Sequence, residues 1–465
     1  MLIVGGNNME NNIKLENLIK DIVKNSRAAQ FEIANKSNKF INKLIIMIIS
    51  TVLNKKNNHF LSSIAVKETK FGNVEDKIKK NLYKTKNLIN EIIEIDTLSP
   101  IFDKKKNIYE ILKPIGVICG VTPSTNPIAT SINYIVNSIK ARNSIIICPN
   151  PRSYLTVTEL IKIIKKVLRS NKVSDNLVNI APKEILRDDT IVNLFEHCDK
   201  NIVTGNKLVI SKVKKSSKPF LIFGTGNVPV VIDKKNNLKE TAQFIVESKS
   251  FDNSTSCSAD SVIIVDKNIY SKFLDHFKKN KVYILNDREK ETLDKIYFKK
   301  GSINTELIAK NPNVILEKIG LKKNTNTFRL IGYEISNFNP NHYIFDEKIL
   351  PLVGIILSKG IDNSIQLAKD ILNINGKGHS AGIYSQSKKN VEKFSLNIPV
   401  SRIIVNQPHS QSAGGSKNNQ LNTTLSLGCG SWGGNIINDN LQLRDFCNIT
   451  KVVYKNKKKF KDYLF

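Results

Sequence analysis

Cysteine is scarce in this 465-residue chain: six occur, at positions 119, 148, 198, 257, 429 and 447, with no CxxC pair and no metal-ligand spacing. That usage fits a reducing, cytoplasmic setting and gives no sign of a disulfide framework. The six histidines are scattered and none pairs at a metal spacing, so no metal site is expected. Long apolar runs are missing too. The longest, Leu44 to Leu53, is broken by Ser50 and Thr51, whereas a membrane helix needs about 20 apolar residues; it reads as a buried helix. The start, Met1 to Gly6, lacks a basic region and a long apolar core, so no secretory signal is expected, and Met9 is an alternative start. No Walker loop, HExxH or G-x-S-x-G elbow occurs, and residues 224–229 read GxGxxP, a dinucleotide fingerprint without its third glycine.

Acidic residues are in deficit: 41 Asp and Glu against 71 Lys and Arg leave a net charge of +30. The lysines occur singly and in short runs such as 104–106 and 457–459, without an aromatic-interleaved basic stripe. They read as a solvated surface. Nonspecific adhesion to polyanions at low salt is expected, but no specific nucleic-acid partner. Hydrophobic residues at 40% and the length together imply a folded protein of two or three domains.

From Ile13 to about Ile95 apolar residues recur every three or four positions, as in Leu15, Leu18, Ile19, Ile22 and Val23, which predicts consecutive amphipathic helices. Short apolar runs then alternate with helical stretches: 114–121, 144–148, 177–180, 201–203 and 220–223, followed by 228–232, 262–265, 282–285, 353–357, 381–384 and 402–405. Strands separated by helices of this length imply an α/β fold with parallel sheets covered on both faces. Ligands in such sheets sit at the carboxyl ends of strands. The expected division is residues 10–225 for the N-terminal helices and a nucleotide-binding domain, 226–430 for a catalytic domain, and 431–465 for a segment that returns to the nucleotide-binding domain or to a subunit interface. The Lys-rich stretch 455–461 is low in complexity.

Segments mixing small, polar and Pro or Gly residues fall where strand runs end: Thr122-Pro-Ser-Thr-Asn-Pro127, Thr204-Gly-Asn206, Gly224-Thr-Gly-Asn227 and Phe251-Asp-Asn-Ser-Thr-Ser-Cys-Ser258. The last puts Cys257 in a polar loop, where a thiolate could act as nucleophile, while the other cysteines of the first half sit in apolar or helical runs as small hydrophobes. His379, in a glycine-rich stretch, reads as a turn or core residue.

Taken in order, Pro114-Ile-Gly-Val-Ile, Thr122-Pro-Ser-Thr-Asn-Pro, Phe223-Gly-Thr-Gly-Asn-Val-Pro, Lys249-Ser-Phe-Asp-Asn-Ser-Thr-Ser-Cys, Gly378-His-Ser-Ala and Leu427-Gly-Cys-Gly-Ser-Trp-Gly-Gly-Asn435 resemble the CoA-acylating branch of the aldehyde dehydrogenase superfamily. Residues 405–450 are most similar to acylating sulfoacetaldehyde dehydrogenases. The resemblance implies a two-domain fold, a Rossmann-like nucleotide-binding domain plus an α/β catalytic domain. It also implies a thiolate at Cys257 that attacks an aldehyde, with the oxyanion held by the Asn126 amide and the Cys257 backbone N–H. Hydrolytic relatives carry a general-base glutamate where this chain has Phe223, so the acyl group is expected to pass to coenzyme A. For NAD or NADP the implied contacts are Thr122, Pro123, Pro149, Arg152, Thr204, Gly205, Gly224 and Glu347, with Arg152 a candidate for a 2′-phosphate. His409, Arg402 and Asn406 are the implied donors to a sulfonate. A small aldehyde and coenzyme A are the expected partners, and the protein is expected to be a homo-oligomer. Acetaldehyde or propionaldehyde is the alternative substrate, and a noncatalytic nucleic-acid-binding protein the distant one.

Overall fold

The run Ser144-Ile-Ile-Ile-Cys-Pro149 has no polar face to offer solvent, and the fold gives it none. In the computed structural model, which describes residues 4–186, 189–299, 302–321 and 327–455, all six residues are buried in the middle of a parallel sheet. The Lys-rich end from residue 456 and the start at Met1 lie outside the described residues.

Four helices come first: α1 (Val4–Ile33), α2 (Asn38–Val52), α3 (Lys55–Thr69) and α4 (Val74–Ile92). Two antiparallel strands, β1 (Ile101–Asp103) and β2 (Ile108–Pro114), lead into a five-stranded parallel sheet built from β3 (Val117–Thr122), β4 (Ser144–Pro149), β5 (Val178–Ile180), β6 (Lys200–Thr204) and β7 (Phe220–Phe223). Its order is β5-β4-β3-β6-β7. Between these strands run α5 (Pro127–Lys140), α6 (Tyr154–Ser170), α7 (Thr190–His197) and α8 (Lys207–Val213). Helix α5 is buried at every position, wedged between the sheet and the N-terminal helices. Ile41, Leu44, Ile45 and Ile48 of α2 join Ile132, Ile135 and Ile139 of α5 in one apolar cluster, which is the three-and-four periodicity realised as packing.

The second half holds β8 (Val228–Ile232), β9 (Asp260–Asp266), β10 (Val282–Ile284), a short ribbon of β11 (Phe298–Lys299) and β12 (Ser302–Ile303), then β13 (Leu330–Ile335), β14 (Leu352–Ser358), β15 (Ala381–Tyr384) and β16 (Ile403–Val405). Seven of them form a parallel sheet in the order β10-β13-β14-β9-β8-β15-β16. Helix α9 (Leu238–Ser250) crosses from β8 toward β9. Strand β13 and the helices at 287–297 and 312–318 are additions to the sequence reading. A last strand, β17 (Cys447–Val453), pairs antiparallel with β2 along its whole length. The approach to it is tied to the five-stranded sheet by Asn143 Nδ2 donating to Phe446 O at 2.7 Å and Lys200 Nζ to Asp445 O at 2.7 Å. Among the described residues no helix is long and apolar enough to cross a membrane.

Candidate active site

Helix α9 ends at Ser250, and the chain then takes three consecutive non-glycine residues into the left-handed region: Asp252 at φ 50°, Asn253 at φ 51° and Ser254 at φ 66°. Such conformations cost on the order of 1–3 kcal/mol each and persist where the surroundings over-determine them. Here Asp252 supplies the determination. Its backbone N–H donates to Asp76 Oδ2 at 2.8 Å, and its Oδ1 accepts from Asn73 N at 2.9 Å. Its Oδ2 receives Lys80 Nζ at 2.6 Å, Thr255 Oγ1 at 2.7 Å and Lys77 Nζ at 3.0 Å. Burial opposes the charge on this fully enclosed carboxyl, but Lys80 and Lys77 outweigh it and hold it below its usual range. Burial lowers Lys77 to about 8, with Asp252 working the other way.

The turn delivers Cys257, half-buried, to a cavity of about 380 Å³ whose wall also includes Asn126, Phe251, Ser256 and Leu427. Desolvation pushes the Cys257 thiol up to about 12, with Glu347 and Cys429 adding to the rise. Gly226 backs it closely: a Cβ there would lie 2.1 Å from the Cys257 carbonyl oxygen and 2.9 Å from the His379 ring, so no larger residue fits. Gly226 N–H donates to Glu347 Oε1 at 3.2 Å. Glu347 is half-buried, not a surface acid, and desolvation raises its carboxyl to about 7. Asn126 begins α5, and its Oδ1 accepts from Lys80 Nζ at 2.7 Å.

The cavity wall carries four lysines, Lys79, Lys80, Lys84 and Lys417, and no carboxylate. Lys84 is buried with its ammonium against the carbonyl oxygens of Gly414 at 2.8 Å, Gly415 at 2.9 Å and Gln411 at 3.4 Å, and desolvation lowers it to about 7. Apolar periodicity does not mark these lysines in the sequence. The signal was present: the buried stripe of α4 is Lys77, Lys80, Asn81, Lys84, Thr85, Leu88 and Ile92, lysines recurring at helical spacing on the inward face.

The three residues expected to hold a sulfonate are not brought to this cavity. Arg402 is spent on carbonyls, donating to His379 O at 2.8 Å, Gly428 O at 2.6 Å and Asn438 O at 2.6 Å. Asn406, at φ 52°, closes a turn by accepting from Ser385 N and donating to Ser385 O, each at 2.9 Å. His409 is buried, its Nδ1–H donating to Ser258 O at 2.8 Å, while its neighbours Pro408 and Ser410 face the cavity. The correction has a simple cause: guanidinium, amide and imidazole donors serve backbone oxygens as readily as they serve ligands.

At the carboxyl ends of the five-stranded sheet Thr122 pairs with Pro149 and Thr204 with Phe223. Phe223 is buried in the apolar core. Beyond this edge a second cavity, of about 450 Å³, is lined by Gly205, Gly224, Cys429, Trp432 and three lysines, Lys207, Lys214 and Lys377, again without a carboxylate. A Cβ on Gly224 would meet nothing within 4 Å. Open glycine edges and unopposed lysines at strand ends suit a polyphosphate. Thr122, Pro123, Pro149, Arg152, Thr204 and Glu347 do not line this cavity. Thr204 Oγ1 is bonded to Tyr134 at 2.7 Å and Ser426 at 2.8 Å, and Arg152 is exposed.

Comparison with known proteins bears on this geometry. The aldehyde dehydrogenase family model matches residues 17–293. The chain belongs to that family. Within it the likeness is to acylating members. The sulfoacetaldehyde dehydrogenase (acylating) of Cupriavidus necator is 29% identical over 93% of this chain and 88% of its own length. The succinate-semialdehyde dehydrogenase (acetylating) of Clostridium kluyveri is 29% identical over 94% and 96%. Among solved structures, an acetylating aldehyde dehydrogenase from Geobacillus thermoglucosidasius superimposes with a TM-score of 0.90 at 28% identity, covering 97% of this chain and 99% of that one. This aldehyde dehydrogenase is therefore an acylating enzyme of a family that uses NAD(P) and coenzyme A.

Proposed function

We propose that the protein converts sulfoacetaldehyde and coenzyme A to sulfoacetyl-CoA with reduction of NAD(P), through a thioester on Cys257. The observation that carries this reading is the cavity itself: Cys257 and Asn126 share its wall with four lysines, of which Lys80 is matched by Asp252 and Lys79 lies 4.0 Å from Asp76, while Lys84 and Lys417 make no ion pair among the described residues. An aldehyde with a fixed negative tail meets attraction there; an uncharged one meets none.

The thiol of Cys257 releases its proton to solvent as its sulfur bonds to the carbonyl carbon, and the Asn126 N–H and the Cys257 backbone N–H receive the oxyanion. Bound at the glycine-edged, lysine-lined cavity, a nicotinamide dinucleotide supplies the hydride acceptor. Gly205 would hold its phosphate portion, and Glu347, outside the lining but bonded to Gly226 next to Gly224 and Thr225, would meet its ribose. The acyl group stays on sulfur because the position of a hydrolytic base is filled by buried Phe223, which can neither accept a proton nor orient water. The thiol of coenzyme A then displaces Cys257. Exposed Phe102 on β1 and Val453 on β17 place an apolar side chain on each of the two edge strands of the three-stranded sheet, which supports a homo-oligomer.

Steady-state turnover with sulfoacetaldehyde, succinate semialdehyde and acetaldehyde, each with coenzyme A and NAD(P), tests the proposal. The expected result is kcat/KM for sulfoacetaldehyde at least about tenfold above acetaldehyde, about 1.4 kcal/mol of discrimination, and no acyl-CoA from Cys257→Ser. Preference for succinate semialdehyde would reassign the tail to a carboxylate; equal use of acetaldehyde would remove the anionic-substrate reading, and turnover by Cys257→Ser the nucleophile.

A further inference from the structure

The Asn126 side chain can serve an oxyanion in one of its two orientations only. Its Oδ1 and Nδ2 are nearly equal in shape, and a half-turn about the last torsion exchanges a donor for an acceptor. With oxygen toward the developing negative charge, the amide would oppose the reaction. What selects the orientation is therefore part of the chemistry.

Asparagine at the start of a helix ordinarily accepts a hydrogen bond from the first turn, and in this protein Asn54, Asn73, Asn206, Asn237, Asn286 and Asn311 all do so. Asn126 stands at the same position of α5 and makes no such bond. Its Oδ1 is turned instead to Lys80 Nζ, at 2.7 Å. An ammonium has three donors and no acceptor, so only the oxygen of the amide can face it. The amide nitrogen is left with one long contact, 3.4 Å to Thr125 Oγ1.

Lys80 is itself fixed. Its remaining donors go to Asp252 Oδ2 at 2.6 Å and Thr255 Oγ1 at 2.9 Å, so three acceptors consume three N–H groups. The ammonium also lies 5.5 Å from the centre of the Phe251 ring. Asp252, Thr255 and Phe251 all belong to the strained turn that presents Cys257, and Asp252 is further gripped by Lys77, one helical turn before Lys80 on α4. One nitrogen thus joins the oxyanion amide to the nucleophile loop, across elements far apart in sequence.

We propose that Lys80 is a positioning residue for catalysis: by taking Oδ1 of Asn126 it commits the amide N–H to the oxyanion at Cys257 and fixes the distance between the two. This rests on the acylating reading above. With no N–H left over, Lys80 does not bind the substrate's tail; Lys84, whose N–H groups go to the carbonyls of Gly414, Gly415 and Gln411, acts on it through charge alone, and direct contact falls to Lys417 and Lys79.

The test is a double-mutant cycle on the full-length enzyme, with kcat and KM measured for its best aldehyde. Asn126→Ala should lower kcat by about 10²–10³, the usual loss for one oxyanion donor. Lys80→Met should lower kcat by about the same factor with KM changed less than about threefold, and the double variant should be no slower than Asn126→Ala alone, since the two act as one unit. Iodoacetamide labelling of Cys257 should keep its wild-type rate in Lys80→Met. Lys80→Arg keeps a cation beside Asp252, and with it the fold, but a planar fork cannot present three donors from one nitrogen; at least a tenfold fall in kcat is expected. Fully additive losses, a Lys80→Met effect confined to KM, or wild-type kcat in Lys80→Arg each overturn the proposal. Failure of the underlying reading looks different: wild-type enzyme would then reduce no NAD(P) in a CoA-dependent way with any aldehyde.

Discussion

If the substrate carries an anionic tail as proposed, its recognition depends on pH through the environment of Lys84. Its ammonium is enclosed by three carbonyl oxygens, with Glu91 on its own helix favouring the charge and Lys80 opposing it, while Tyr83 and Lys417 also face the cavity. Desolvation leads these effects and sets the group near pH 7. The sign follows directly: the cation is present below that pH and is lost above it, whereas an unfolded lysine would hold its proton to about 10.4. KM for sulfoacetaldehyde should therefore be lowest below pH 7 and climb as pH rises through neutrality, while KM for acetaldehyde stays flat. Parallel pH profiles for the two aldehydes would refute a charge-based role. A bound sulfonate should itself draw the proton onto Lys84, shifting the midpoint upward.

At the scale of elements, the nucleophile loop is legible in sequence only as a polar stretch after a helix. Nothing in Phe251 to Ser258 announces three successive left-handed residues, since Asp and Asn enter that region singly and a run of three needs outside contacts to hold it. Those contacts come from α4, some 170 residues earlier. Asp252→Asn removes the charge that two buried lysines share and leaves the turn without its tie. Breaking such a pair costs about 3–5 kcal/mol, and urea denaturation should register a loss of that size. A midpoint unchanged from wild type would mean that Lys77 and Lys80 find other acceptors, and that the turn holds itself. The strands behave differently. Ile145 to Ile147 and Val262 to Val265 are apolar without interruption and are enclosed completely, so their place in sheets covered on both faces could be read from the chain alone. Strand β17 could not, because its outward residues are exposed and its partner β2 lies more than 300 residues away.

For the molecule as a whole, Arg402 joins three segments: the loop at His379, the glycine-rich motif at Gly428 and the irregular stretch at Asn438 that leads toward β17. The carbonyls of His379 and Gly428 would be left buried and unpaired by Arg402→Met, at about 1–3 kcal/mol apiece, while that of exposed Asn438 can turn to water. The expected outcome is a stability loss on the order of 3 kcal/mol or more in chemical denaturation, with KM for sulfoacetaldehyde unchanged in whatever enzyme remains folded. A raised KM at normal stability would return Arg402 to the substrate.

The chain by itself determined the alternation of helix and strand, the parallel sheets, and a cysteine in a polar loop, because apolar periodicity and turn chemistry are local properties that neighbours in sequence decide; Asn126 as its partner came from the family resemblance. Tertiary structure alone decided which polar groups face the cavity. A lysine, arginine or histidine looks the same in sequence whether its donors meet backbone oxygens, a buried carboxylate or open space, and that choice is made by elements hundreds of residues apart closing around it.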